Sequence, residues 1–148
     1  VISVGVDVSK GKSTVCVMKP GGEVLETPFE MLHTMEEILS LVKLIKAYGE
    51  EVRVVLEDTG HYHWPVVTLL VENGIFVCCV NALRMKKYCA QSIRRAKTDR
   101  IDSIRIASYG IVYWHELTEG LPVEDTYREL KLLARQYYQM TSMLVKLR

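Results

Sequence analysis

Apolar and polar residues in the first part of the chain alternate with a period of two. In Ile2 to Val8, the residues Val4, Val6 and Val8 alternate with Gly5 and Asp7, the pattern of a half-buried strand. Gly11-Lys12 turns the chain into a second β-rich run, Ser13 to Met18, and Pro20-Gly21-Gly22 turns it into a third, Glu23 to Phe29. Two hairpin-like connections in succession predict three antiparallel strands. The period then changes. Thr34-Met35-Glu36-Glu37 reads as a capping box, with Thr34 as N-cap and Glu37 at the third helical position. Ile38, Leu41, Val42 and Ile45 recur at helical spacing as far as Tyr48, and Gly49 ends the helix.

Strands and helices alternate from there. Glu51 to Glu57 is a strand, and Pro65 suits the first turn of a helix running to Asn73-Gly74. Ile75 to Val80 is continuously apolar, which predicts a strand buried on both faces. Asn81 caps a short helix through Tyr88, and Gln91 to Lys97 is polar and basic. Thr98 is a good N-cap for the next helix. Its core stripe is read as Ile101, Ile104, Ala107, Ser108 and Ile111, with Asp99 and Asp102 side by side on the opposite face. Glu119-Gly120-Leu121-Pro122 breaks that helix, and Asp125-Thr126 caps a last one from Tyr127. There Leu130, Leu133, Tyr137, Met140, Leu144 and Leu147 are spaced 3, 4, 3, 4, 3, as in the a/d seam of a coiled coil or the buried stripe of an ordinary core helix. The order βββαβαβα matches the α/β, ribonuclease H-like arrangement: a mixed sheet with flanking helices, followed by a coiled-coil-like helix. Residues 1–118 form the main domain and 119–148 begin a coiled-coil or linker segment. The Gly-rich loops of dinucleotide and P-loop proteins are absent.

A chain of 148 residues, 49% hydrophobic and 25% charged, is long enough for a proper core and reads as one domain. No apolar run is long enough to span a membrane, and no signal-peptide pattern is present. The sequence starts at Val1 and stops at Arg148 inside a helical pattern, as expected for a piece of a longer protein. Cys16, Cys78, Cys79 and Cys89 include no C-x-x-C pair, which predicts buried thiols in a reducing cytoplasm rather than a zinc site. The net charge of +1 hides an asymmetry: Arg84 to Arg105 holds eight basic residues and two acids, so the remainder of the chain is acidic. Such a patch is either a solvated helical face or a surface for an anionic partner, nucleic acid above all.

The acids of that segment join two others. Asp7 lies within the first strand, where a carboxylate needs a cation or solvent. Glu57 ends a strand, the position at which α/β proteins place ligand chemistry. A structural reading of the helical pair is that Asp99 complements the helix dipole and Asp102 pairs with a nearby Arg. A chemical reading gathers Asp7, Glu57, Asp99 and Asp102 into one site. Like-charge repulsion forbids that without cations, and hard oxygen donors select Mg²⁺ or Mn²⁺. Two such ions can support in-line phosphoryl displacement. Lys97 and Arg100 flank the helical pair, Arg94 and Arg95 precede it, and Lys10 follows Asp7. These five are candidates for phosphate contact, which gives affinity and salt dependence without base specificity; Lys10 could instead cap the hairpin. His61 and His63 form an H-x-H with no third ligand in sequence, better suited to a turn or surface than to a metal. Tyr62 and Trp64 either stack on bases or fill the core at a helix start.

Gly5-Val6-Asp7-Val8-Ser9-Lys10, Glu57-Asp58-Thr59-Gly60-His61-Tyr62 and Lys97-Thr98-Asp99-Arg100-Ile101-Asp102-Ser103 resemble the three motifs of the DEDD-type insertion-sequence transposases. Asp7, Glu57, Asp99 and Asp102 fall on the D, E, D and D positions, and the resemblance covers essentially the whole chain. It implies a RuvC-like fold and a Mg²⁺-dependent recombinase that cleaves and exchanges DNA strands in a prokaryotic cytoplasm. It also implies a structured guide RNA and a further C-terminal domain whose serine joins to DNA; the 148 residues are expected to stop short of that domain. The a/d seam adds a homo-oligomer to the expected partners. A Holliday-junction-type endonuclease shares the fold and the acids, and a non-catalytic nucleic-acid-binding and dimerisation module would use the acids structurally. An actin-like ATPase half would leave Asp99 and Asp102 idle. The Asp58 to Tyr62 and Lys97 to Asp102 motifs favour the transposase.

Overall fold

The computed structural model describes residues 1–58, 62–91, 99–120 and 124–147, without the side chains of 99–100 and 124–131. The three antiparallel strands are β1 (Ile2–Ser9), β2 (Lys12–Lys19) and β3 (Glu23–Leu32). They are followed by α1 (Met35–Ala47), β4 (Val52–Glu57), α2 (Trp64–Glu72), β5 (Phe76–Val80), α3 (Ala82–Ala90), α4 (Asp99–Val112), a 3-10 turn at Trp114–Glu116, and α5 (Glu124–Leu147). The sheet order is β3-β2-β1-β4-β5. β1 pairs antiparallel with β2 and parallel with β4, and β4 pairs parallel with β5. The apolar strand β5 therefore lies at the sheet edge, and part of that edge is covered where Gly120 N–H donates to the Val77 carbonyl.

The local signals act as the side-chain chemistry requires. Thr34 accepts from the Glu37 backbone N–H at the start of α1, while the Glu37 carboxylate accepts from Leu32 N–H rather than from the cap residue. Asn81 accepts from Leu83 N–H at the start of α3. Gly49 and Gly74 carry φ of 65° and 75° directly after their helices, a conformation that favours glycine.

Alternation sends the two sets of strand side chains to two different cores. Ile2, Val4, Val6 and Val8 of β1 join Val54, Leu56, Met31 and Val77 under α1, α2 and α5. Ser3 and Gly5 face the other side, with Val55, Cys78 and Val80, toward α3, α4 and the 3-10 turn. On that side Arg53 lies between Phe76 and Trp114, its guanidinium carbon 4.7 and 4.5 Å from their ring centroids. Its Nη1 also donates to the Trp114 carbonyl at 2.6 Å. α4 ends at Val112, directly before the 3-10 turn that carries Trp114, earlier than the Glu119–Pro122 breaker predicts.

The contacts of α4 and α5 sharpen two sequence expectations. The fully buried, sheet-facing positions of α4 include Ser103, Ile106, Ala107 and Gly110; of the expected stripe Ala107 is fully buried, Ile104 and Ile111 pack partly buried on Cys16 and Met18, and Ile101 and Ser108 are only partly buried. Close approach selects small residues: a Cβ at Gly5 would strike the main chain of Ser103 and Ala107, and one at Gly110 would strike Ser3 and Val55. Asp102 precedes Ile106 by one turn, so it stands on the sheet-facing half of α4 and not opposite the core; the Asp99 side chain lies outside the described residues. In α5, Ala134 and Tyr138 enter the main core beside α2. The seam residues Leu133, Tyr137, Met140, Leu144 and Leu147 are exposed instead; the Leu130 side chain lies outside the described residues.

Candidate functional site

The register of β1 with β4 places two of the acids. Val6 lies opposite Leu56 in the parallel ladder, so Asp7 and Glu57 are each the next residue on neighbouring strands, about 4.8 Å apart across the sheet. Both point toward α4. Asp7 is two residues beyond Gly5, and Glu57 is two beyond Val55; Gly5 and Val55 both meet α4. Asp7 and Glu57 are half-buried.

The direction of α4 supplies the rest. Gly110 lies over Ser3 and Val55, whereas Ala107 and Ser103 lie over Gly5. The helix thus runs antiparallel to β1, and its N-terminal turn arrives at the level of Asp7. One pleat repeat of strand advances about 6.6 Å, matched by about four helical residues, which brings the backbone of position 99 to the level of Asp7. The helix N-terminus carries partial positive charge and favours carboxylates in its first turn. Asp102 is half-buried, with one carboxylate oxygen 3.8 Å from Arg105 Nη1. This is the helical pairing that the structural reading expected, and it is long for an ion pair.

All four candidate ligands are carboxylates, a donor set that fits a hard divalent cation. Among the described residues no group of three or more His, Cys, Asp or Glu side chains comes together as a metal-binding cluster; the Asp99 side chain lies outside them. Residues 59–61 and 92–98 also lie outside, and with them His61, Arg94, Arg95, Lys97 and the N-cap Thr98, as does the side chain of Arg100. Lys10 is exposed in the β1–β2 turn.

His63 is not at the surface. It is fully buried, its ring centroid 4.5 Å from that of Trp64 and its Nε2 3.6 Å from an Asp58 carboxylate oxygen. The thiols are buried or half-buried as expected. Burial pushes Cys16 up to about 11, and burial with the nearby Asp58 and Cys78 pushes Cys79 up to about 12. Neither is a thiolate at neutral pH, so neither offers a nucleophile or a soft ligand.

Residues 4–148 match the family model for transposases of the DEDD, IS110 type. The chain belongs to that transposase family. Among solved structures the transposase chain is similar to Thermus thermophilus RuvC, with a TM-score of 0.57 and 12% identity over 78% of this chain and 96% of RuvC. The same protein in complex with Holliday junction substrate gives 0.56, again at 12% identity, over 78% and 95%. The fold is therefore RuvC-like, within the ribonuclease H-like class. No curated protein matches the sequence.

Of the residues that seat α4, sequence reasoning found Ala107 but missed Ser103 and Gly110. Ser103, Ala107 and Gly110, small residues recurring at i, i+4 and i+7, with Gly5 inside a strand, were the available signal: interior strand glycine marks close backbone approach.

Proposed function

We propose that this transposase-family chain is a RuvC-like catalytic domain that cleaves and exchanges DNA strands through one carboxylate site made of Asp7, Glu57, Asp99 and Asp102. The observation that carries this reading is the registration of Asp7 with Glu57 beneath the N-terminal turn of α4. The four carboxylates would hold one or two Mg²⁺ or Mn²⁺ ions, which supply charge stabilisation at the attacking and leaving oxygens of a phosphodiester. The chain's own part is to fix the acids on a rigid strand pair and helix end, and to hold the phosphate backbone. Lys10, Arg94, Arg95, Lys97 and Arg100 are the residues proposed for that backbone contact. A guide RNA and a further serine-bearing domain in the full protein belong to the same proposal. So does self-association through the far end of the exposed stripe of α5, Met140, Leu144 and Leu147.

The test is calorimetric titration of Mn²⁺ into the 148-residue chain and into Asp7→Asn and Asp102→Asn. Saturable binding lost in both variants is the expected result. If Asp102→Asn lowers thermal stability but leaves Mn²⁺ binding intact, Asp102 acts only through its pairing with Arg105, and the four-carboxylate site fails.

A further inference from the structure

We propose that the groove between α2 and α5 binds an unpaired nucleobase of the strand presented to the acids, with its phosphate held by Lys10. The partner class rests on the transposase reading above; the groove itself does not. It is a cleft of about 460 Å³ walled by Tyr62 and Trp64 at the start of α2, Leu133 and Tyr137 of α5, and Pro65. That volume lies within the usual range for small-molecule sites. Lys10 and Gly11 of the β1–β2 turn close one end.

Three features select a nucleotide. Tyr62 and Tyr137 are 41% and 42% exposed, so two of the three aromatic rings keep substantial area open to a ligand. Every base has a π-face that stacks on such rings regardless of sequence. Lys10 is exposed and has no carboxylate partner among the described residues, so an otherwise apolar cleft ends in an unmatched cation. A purely apolar occupant leaves that charge unanswered; a nucleotide brings a flat apolar ring and an anion together. The third feature is position. The groove grows from the strand ends that carry the acids, since Lys10 follows Asp7 at the end of β1 and Tyr62 follows Glu57 beyond the end of β4. It opens on the opposite face of the sheet from α4, so a strand crossing this rim can present one phosphate to the acids and a neighbouring base to the groove.

The two tryptophans make this measurable. Trp114 is buried under α4, remote from the groove, so Trp114→Phe leaves Trp64 as the only indole. That chain is titrated with a labelled single-stranded oligothymidine, following Trp64 emission and label anisotropy together, and then with the blunt duplex of the same length. Saturable quenching by the single strand is expected, with the midpoint given by anisotropy and little quenching by the duplex. Tyr137→Ala is expected to raise the midpoint roughly tenfold, and Lys10→Ala to raise it while flattening its salt dependence. The complementary Trp64→Phe chain, folded on its original Trp114, is expected to bind with no quench. Single-strand binding with unchanged Trp64 emission, or equal quenching by duplex, overturns the groove assignment and leaves the metal reading to its own titration. A Trp64 change that tracks protein concentration without nucleic acid, with a dimer by sedimentation, also overturns it and gives the groove to a second copy of α5.

Discussion

The two faces of the sheet are built on opposite principles. Under α1, α2 and α5 the strands present Val4, Val6, Val54 and Leu56, all fully buried, to Ile38 and Leu70. That is a conventional core of branched side chains, in which each large residue contributes roughly 1.5–3 kcal/mol. Under α4 the closest contact is made by Ser3, Gly5, Ser103, Ala107 and Gly110, with Ile106 and Tyr109 packed on Val55, Cys78 and Val80 on one flank and Ile104 and Ile111 on Cys16 and Met18 on the other. The small-residue seam between those flanks buries little apolar area per residue but fixes distance and rotation closely. The apolar face holds the fold together, and the small-residue face sets where the first turn of α4 stands relative to Asp7 and Glu57.

The largest expected effect comes from breaking the seam. Gly5→Val forces two γ-carbons as well as a Cβ against the Ser103 and Ala107 main chain. Main chain cannot rotate out of the way, so α4 must lift. Overpacking of this kind costs about 1–3 kcal/mol or more, and the acids of α4 move with the helix. Loss of Mn²⁺ binding by calorimetry is expected, together with a lower unfolding midpoint. A Gly5→Val chain that binds Mn²⁺ as tightly as the parent would show that the seam does not position the site.

The counterpart on the other face separates stability from positioning. Leu70 is fully buried in α2, and Leu70→Ala is expected to lower stability by about 2–5 kcal/mol in urea unfolding. The folded fraction should keep the parent's Mn²⁺ affinity, because nothing in the α4 seam changes. Equal loss of metal affinity in Leu70→Ala and Gly5→Val would erase the distinction between the faces.

The apolar face was legible in the sequence because its signals are periodic: Val4, Val6 and Val8 at period two, and Ile38, Leu41, Val42 and Ile45 at helical spacing. The acid positions were legible because Asp7 interrupts a strand and Glu57 ends one. The rotation of α4 was only partly legible. Counting large apolar residues picks Ile104 and Ile111, which do pack on Cys16 and Met18, but passes over Ser103 and Gly110, because a helix that touches a sheet through glycine on both sides brings its smallest residues to the closest approach. His63 sits in the turn before α2 as its polar ring suggests, but packing against Trp64 beside Asp58 encloses it rather than leaving it at the surface. The α5 pattern carried two stripes, and only tertiary contact decides that Ala134 and Tyr138, rather than the a/d seam, meet α2.

The smallest effect concerns a polar fixture on the apolar face. His33 is buried, and its Nε2 lies 2.6 Å from Ser13 Oγ. Burial disfavours the imidazolium and holds the pKa below the ordinary value of 6.5. The sign of the linkage follows. Above pH 6.5 both folded and unfolded chains carry a neutral ring, and the contribution is complete. As pH falls below 6.5 the unfolded chain takes up a proton that the folded chain resists, so stability declines until the folded pKa is passed. The slope from one such group is at most about 1.4 kcal/mol per pH unit. Urea unfolding at pH 7.5 and pH 5 is expected to show a larger acid loss for the parent than for His33→Gln, whose amide can still bond Ser13 but does not titrate. Because Ser13 and His33 stand on the face away from α4, the variant should leave Mn²⁺ affinity at pH 7.5 unchanged. An altered affinity would mean that the two faces communicate through β2.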